Sequence, residues 1–406
     1  MKSLKYKLNI NYIYIFFNNL NFTSGFWMIY LAAKGMSLTQ LGLLEGIFHV
    51  TGLLMEIPTG AIADILGRKA SRVIGRVMGL ISIVLMITVN NFWVYALSFV
   101  LCALSYNLES GAGEALLYDT LLQHGQEDQY VKHIGRVEAT CQVAQIITLS
   151  VAGFFAIMNY HIPFIASMIA TFMALGVGLL LVEPMGKGRK EEPKTNIVQA
   201  IKKQYVDGFG ALKGNGKLVY LTLLPSFMFV VNTISFFYIQ NYWKLQGKLE
   251  STIGIYLAGA AVCGAIGGVL CHRIVGKVRP KQFMQMIPVI FATALVTLPF
   301  GFAGVVGFMC MAFLDAVFYT VVSDYINKEI ESSVRATVIS MQSAVFSLYM
   351  IILFPLFGAL GDGVNMQTAF FALSGITALL VVINALYLRI GRHRMADSEH
   401  KDLNAS

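Results

Sequence analysis

Apolar runs of about twenty residues, each long enough to cross the hydrocarbon of a bilayer as a helix, recur along almost the whole chain. Cutting at charges, prolines and polar turns gives twelve spans. They lie at approximately 9–33, 38–62, 71–89, 92–119, 134–158, 161–182, 217–243, 250–275, 281–299, 301–325, 334–357 and 367–390. Only 13% of the 406 residues are charged and 56% are hydrophobic, against roughly 25% charged in an ordinary soluble domain. That excludes a water-soluble globule and makes lipid the solvent for most of the chain. The runs are continuous rather than alternating, which excludes a membrane barrel as well. The first run, from Ile10 to Ala33, has no small-residue cleavage site and reads as a retained helix.

Basic residues fall unevenly on the two sides of these spans. Lys2, Lys5, Lys7, Arg68, Lys69, Arg72, Arg76, Lys132, Arg136, Arg273, Lys277, Arg279, Lys281, Lys328, Arg335 and the basic tail share one side. Lys34, Lys244 and Lys248 fall on the other. The positive-inside rule then puts both termini in the cytoplasm of a multi-pass protein of the plasma (inner) membrane. It also explains the net charge of +8 without a nucleic-acid partner. The five cysteines, Cys102, Cys141, Cys263, Cys271 and Cys310, lie inside apolar runs with no metal-ligand spacing, so neither disulfide nor metal is expected.

One long polar segment splits the spans six and six. The expected division is a bundle at 1–183, a linker at 184–216, and a second bundle with a short tail at 217–406. Within the linker Ile197, Ile201, Tyr205, Phe209 and Leu212 recur at helical spacing, as in a helix lying on the membrane surface. A weak repeat relates the halves. Gly60, Asp64, Gly67, Arg68 and Lys69 after span 2 parallel Gly268, His272, Gly276 and Lys277 after span 8. Glu109 and Asp119 in span 4 parallel Asp315 and Asp324 in span 10; Arg136 and Gln142 parallel Arg335 and Gln342. The fold class expected is an all-α integral membrane protein, twelve transmembrane helices in two pseudo-symmetric six-helix bundles.

The string EIPTGAIADILGRK, Glu56 to Lys69, carries GxxxDxxGRK between the second and third spans. With twelve spans and a six-plus-six division, the chain resembles the major facilitator superfamily of secondary transporters over its full length. The resemblance implies that Gly60, Asp64, Gly67, Arg68 and Lys69 form a cytoplasmic gating loop. Asp64 would then face the start of span 11 and Arg68 would pair with Asp119. Together with the stretch ESGAGEALLYDTL, Glu109 to Leu121, the string is similar to bacterial proton-coupled efflux members. Two departures stand against that subgroup: span 5 reads QVAQIITLSVAGFFA with no Gly-Pro, and the middle of span 4 holds Glu109 rather than a basic residue.

Ionisable residues deep in a span need a reason, because each costs roughly 2.5–3.5 kcal/mol on insertion scales. Glu109 lies about 25 Å along span 4 at 1.5 Å per residue, and Asp315 sits at a matching depth in span 10. Both are candidates for proton coupling, the alternative being structural bonds between helices. Glu45, His49 and Glu56 share one face of span 2 and are further candidates for the same role, or else an interhelical interface. Helices one, four, seven and ten line the cavity in the resembling family. On them Asn18, Asn19, Asn21, Tyr106, Asn107, Asn232, Tyr238 and Tyr319 are candidate substrate contacts, although amides serve equally as glue between helices.

The chain has no phosphate-binding loop, zinc-protease motif or nucleophile elbow, so it is not expected to be an enzyme or to hold a cofactor. The expected activity is alternating-access transport, driven by the proton gradient, that exports a small hydrophobic or cationic compound. Its partners would be that substrate and membrane lipid, the protein itself a monomer. Proton-coupled nutrient uptake, and a lipid translocase or non-transporting sensor on the same fold, are the alternatives.

Overall fold

The computed structural model describes residues 3–184, 206, 208, 210, 212, 213, 215–275, 280–329 and 332–403. The surface helix expected within 184–216, and the loop counterparts Gly276 and Lys277, fall largely or wholly outside them. All regular structure among the described residues is helical. In chain order the helices are α1 (Leu4–Asn19), α2 (Trp27–Ala33), α3 (Leu38–Leu66), α4 (Arg68–Thr88), α5 (Phe92–Leu122), α6 (Tyr130–Met158) and α7 (His161–Leu180). After the linker come α8 (Gly216–Leu245), α9 (Glu250–Val275), α10 (Pro280–Thr297), α11 (Gly301–Glu329), α12 (Ser332–Gly363) and α13 (Met366–Leu403). Ten helices among the described residues are long and apolar enough to cross a membrane. The shorter apolar stretch Gln282–Thr297 lies in α10.

The expected first span is not one helix. Leu20–Phe26, between α1 and α2, leaves the helical path, because its short polar side chains take over backbone groups that a helix would use. Asn19 Nδ2 donates to the Ile15 carbonyl at 2.8 Å. Asn21 Oδ1 accepts from the Thr23 amide at 3.1 Å and the Thr23 hydroxyl at 2.6 Å. Ser24 Oγ donates to the Asn21 carbonyl at 3.1 Å.

Local chemistry sets the other boundaries. A Ser37–Gln40 capping box starts α3, and Asn91 caps α5. Gly67, at φ +100°, ends α3 and begins α4 with no intervening residue. Helices α4 and α5 pack closely because small residues meet along the seam. Gly75 lies against the Ser105 carbonyl, Ser71 Oγ donates to the Leu108 carbonyl at 2.7 Å, and Ser82 and Ser98 exchange hydrogen bonds.

Helices from the two parts of the chain meet as α3 against α12, α6 against α9 and α2 against α8. These seams are tight at the end that carries Leu38 and Gly363, opposite the basic end that carries Arg68 and Lys69. There the Asp362 carboxylate, at the close of α12, accepts from the Leu38 amide at 3.0 Å, the Thr39 amide at 2.8 Å and the Thr39 hydroxyl at 2.6 Å. It caps the first turn of α3 from across the seam. A Cβ on Gly358 would lie 2.3 Å from the Leu38 carbonyl oxygen, and one on Gly153 would lie 2.5 Å from that of Glu250. Backbone approach this close is available only to glycine. Lys244 Nζ reaches Glu250 at 2.5 Å, and the Tyr160 hydroxyl donates to the same carboxylate.

Candidate functional site

The unwound stretch Leu20–Phe26 borders a cavity of about 420 Å³ in the middle of the molecule. Asn18, Asn19 and Asn21 line it beside Trp27. Helix α3 adds Glu45, Phe48 and His49; α4 adds Arg76; α5 adds Tyr106 and Glu109. Among the described residues, the second part of the chain supplies only Thr233, Phe237 and Phe346. Polar groups on a mostly apolar, aromatic wall are the composition of a small-molecule site, and an interrupted membrane helix at such a site frees backbone and amide groups for a ligand.

Glu109 is at the cavity, and its charge is answered. Arg72, fully buried, sets Nη2 at 2.7 Å and Nε at 2.9 Å from Glu109 Oε1. Nη1 donates to Asn11 Oδ1 at 2.7 Å, and the guanidinium carbon lies 4.1 Å from the centre of the Tyr14 ring. The Tyr14 hydroxyl donates to Glu109 Oε2 at 2.6 Å. Three helices therefore tie one carboxylate to one guanidinium, with both carboxylate oxygens engaged. The sequence reading counts Arg72 and Arg76 among the basic residues of the loop side. They lie instead inside the protein, Arg72 wholly and Arg76 at 8% exposure. Their spacing held the signal. Arg68, Arg72 and Arg76 repeat every four residues and so share one face of α4, the second and third about one and two turns into that helix.

The remaining candidates divide. Glu45 and His49 face the cavity, His49 Nε2 lying 3.6 Å from Glu45 Oε1, and His49 meets Phe346 edge-on across the seam. Glu56, two turns further along α3, is exposed and apart from the cavity. Tyr106 packs edge-on to Phe48 and lines the cavity together with Asn21. Asn107 points the other way: its Nδ2 donates to the Gly52 carbonyl at 2.8 Å, tying α5 to α3. Tyr238 is wholly buried in the seam, its hydroxyl donating to the carbonyls of Phe354 at 2.9 Å and Leu38 at 3.2 Å. It packs the closed end and does not line the cavity. Asp315 lies beside Asn232 of α8, and Tyr319 is exposed beside Phe229; none of these three is on the cavity wall. The structure thus separates Glu109 from its repeat partner Asp315.

At the basic end Asp64, Arg68 and Asp119, of the residues expected to gate, form one cluster. Arg68 bonds to Asp64 through Nη1, and its Nε lies 4.0 Å from Asp119. The partner that organises the turn is Glu183, three residues past the end of α7. Its two carboxylate oxygens accept from the Arg68 amide at 2.8 Å and the Lys69 amide at 2.7 Å, the first free N–H groups of α4. Gly67 makes room for this, since a Cβ there would sit 2.9 Å from the Glu183 carboxyl carbon. Gly60 is exposed and touches nothing that a Cβ would meet. The start of α12, which Asp64 would face, lies outside the residues whose side chains are described.

The sequence profile of the Major Facilitator Superfamily matches residues 8–329, and the chain belongs to that family. It is a multi-pass membrane protein of transporter fold. It is 22% identical to the uncharacterised MFS-type transporter YxaM of Bacillus subtilis over 378 residues, 90% of this chain and 89% of that one. It is 24% identical to the quinolone resistance protein NorA of Staphylococcus aureus over 243 residues, 59% of this chain and 58% of that one. Among solved structures a point mutant of the nucleoside transporter NupG superposes with a TM-score of 0.79 at 14% identity, covering 95% of this chain and 99% of that one. A D-xylose–proton symporter does so with a TM-score of 0.66 at 14% identity, covering 94% and 96%.

Proposed function

We propose that the protein is a proton-coupled secondary transporter that exports a small organic compound across the plasma membrane by alternating access. In this reading α1 and α2 together form one interrupted span and α10 another. That makes twelve spans in two six-helix bundles, at 1–183 and 217–406, joined by the linker 184–216. The basic end is cytoplasmic by the positive-inside rule, and the seam pinched at Leu38 and Gly358 is the closed outer gate.

The observation that carries this reading is a cavity walled by an unwound span and holding two carboxylates, Glu45 and Glu109, one beside a histidine and the other on a buried arginine. Glu109 can give up Arg72 only when it takes a proton, so proton uptake and rearrangement of α1, α4 and α5 are the same event. Glu45 and His49 form the second exchange point, at the seam where the halves part. The likeness to NorA favours export. The likeness to a proton symporter shows the fold and keeps uptake as the second outcome of the test.

The test is proton flux in inverted vesicles made acidic inside and challenged with a panel of organic compounds. Export predicts compound-dependent proton release in the wild type, reduced at least several-fold in Glu45→Gln. A compound accumulated by right-side-out vesicles, with no release in inverted ones, would replace export by uptake. Retention of wild-type coupling in both Glu45→Gln and Glu109→Gln would remove these carboxyls from the proton path.

A further inference from the structure

Two guanidinium groups stand one turn apart on the same face of α4, and the cavity gives them unequal company. Arg72 has a carboxylate, an amide oxygen and a tyrosine ring. Arg76, 8% exposed and therefore more than nine-tenths buried, has neutral partners alone. Its two hydrogen bonds both leave from Nη2, to the Ser105 hydroxyl at 3.1 Å and the Ser105 carbonyl at 3.4 Å. No carboxylate among the described residues lies within ion-pair distance, and its Nε is buried with no acceptor. Glu109 has both oxygens committed to Arg72 and Tyr14, and Glu45 is at His49. One carboxylate thus serves the first arginine and none serves the second.

A buried cation without a counter-charge is a standing cost to the fold. A guanidinium is never deprotonated in a protein, so it cannot escape by neutralisation. Arg76 lines the cavity, and its fork of parallel N–H groups matches the two oxygens of a carboxylate. Nearby on the same wall, Asn18 Oδ1 is buried with no donor. Trp27, Phe48, Tyr106 and Phe237 supply flat apolar surface. The wall therefore offers a charge for an anion, an acceptor for an N–H or O–H group, and aromatic faces for a ring.

We propose that Arg76 anchors the transported compound by an anionic group, so that the substrate class is a small aromatic organic anion such as a carboxylate. This rests on the transport reading above and replaces the small hydrophobic or cationic compound expected from the family resemblance. Arg76 on α4 then does for the substrate what Glu109 does for Arg72.

The test uses three molecules that share a ring and differ in charge: 2-naphthoate, 2-naphthamide and 2-naphthylmethylammonium. Binding of each to the purified full-length chain is measured by equilibrium dialysis, and proton flux is measured in proteoliposomes. The expected result is naphthoate bound roughly tenfold or more tighter than the amide, with proton flux for naphthoate and none for the ammonium. Arg76→Gln should abolish that preference while leaving amide binding within about twofold, and Arg76→Lys should keep part of it. A preference for the ammonium, binding of none of the three, or a preference for naphthoate undiminished in Arg76→Gln would each overturn the proposal. Where Arg76→Gln fails to fold, the wild-type triplet and Arg76→Lys carry the decision. The transport reading fails separately. Selective naphthoate binding that depends on Arg76, with no flux of any compound, would refute transport and leave the anion site standing.

Discussion

Gly358 offers the most direct handle on the outer gate. A Cβ added there lies 2.3 Å from the Leu38 carbonyl oxygen, 2.6 Å from its carbon and 2.7 Å from the Tyr238 hydroxyl. The first two are backbone atoms, so no rotamer change relieves the clash. To restore an ordinary contact of 3.4 Å the chains must part by about 1 Å, and the Asp362 bonds to Leu38 and Thr39 must stretch with them. Overpacking of this kind costs about 1–3 kcal/mol. The cost falls only on the state in which α3 and α12 touch at that end. Gly358→Ala should therefore raise the population of the outward-open state about 5- to 150-fold relative to the closed one. Spin labels at Ala33 and Gln367, both exposed or half-exposed, in a background with the five cysteines replaced, would read the change by double electron–electron resonance. A longer-distance population in Gly358→Ala, and also in Gly42→Ala, whose Cβ would lie 2.6 Å from the Pro355 Cα, is expected. Unchanged distributions in both variants would refute the claim that glycine contacts hold this gate.

Asp362→Ala should act in the same direction by a smaller amount. It removes a cap on α3 worth about 0.5–2 kcal/mol, and the spin-label distances should lengthen with a shift weaker than that of Gly358→Ala. Gly67→Ala should lower the melting temperature of the purified protein, because the residue sits at φ +100° and its new Cβ would press on Glu183. Glu183→Ala in the same chain should recover less than half of that loss, since the backbone strain stays. Arg72→Met alone should destabilise by about 3–5 kcal/mol, the cost of leaving one member of a buried pair uncompensated. Combining it with Glu109→Leu should restore most of the thermal stability while transport stays lost.

How much of this is legible in the sequence depends on the range of the interaction. Helix spans are written in local composition, and the expected boundaries agree with the helices to within a few residues over most of the chain. The interrupted first span is legible in principle: Asn19, Asn21, Thr23, Ser24 and Gly25 are residues that compete with the helical backbone, yet overall hydrophobicity carries the run through them. The loop between α3 and α4 is legible through its motif, but Glu183, which satisfies the start of α4, lies more than a hundred residues away and leaves no mark near it. Glu109 draws notice because an acid deep in an apolar run is conspicuous. Its partner Arg72 does not, because a basic residue near a loop already has an explanation in topology.

That prior explanation also obscures the division of labour between the two parts of the chain. The repeat makes Glu109 and Asp315 look like equivalent halves of one site, yet among the described residues the cavity draws all of its charged groups from α3, α4 and α5. The second part of the chain contributes a threonine and two phenylalanines to that wall, and its own acid, Asp315, is not on it. An internal repeat preserves the packing of helices more readily than their chemistry, because packing needs only size and apolarity at many positions. Proton and substrate groups need particular side chains at few. If the charges all sit on one half, the other half moves against them as an apolar wall. Changes at Arg76, Thr233 or Phe346 should then alter which compounds bind, and changes at Glu45 or Glu109 whether binding is coupled to protons at all.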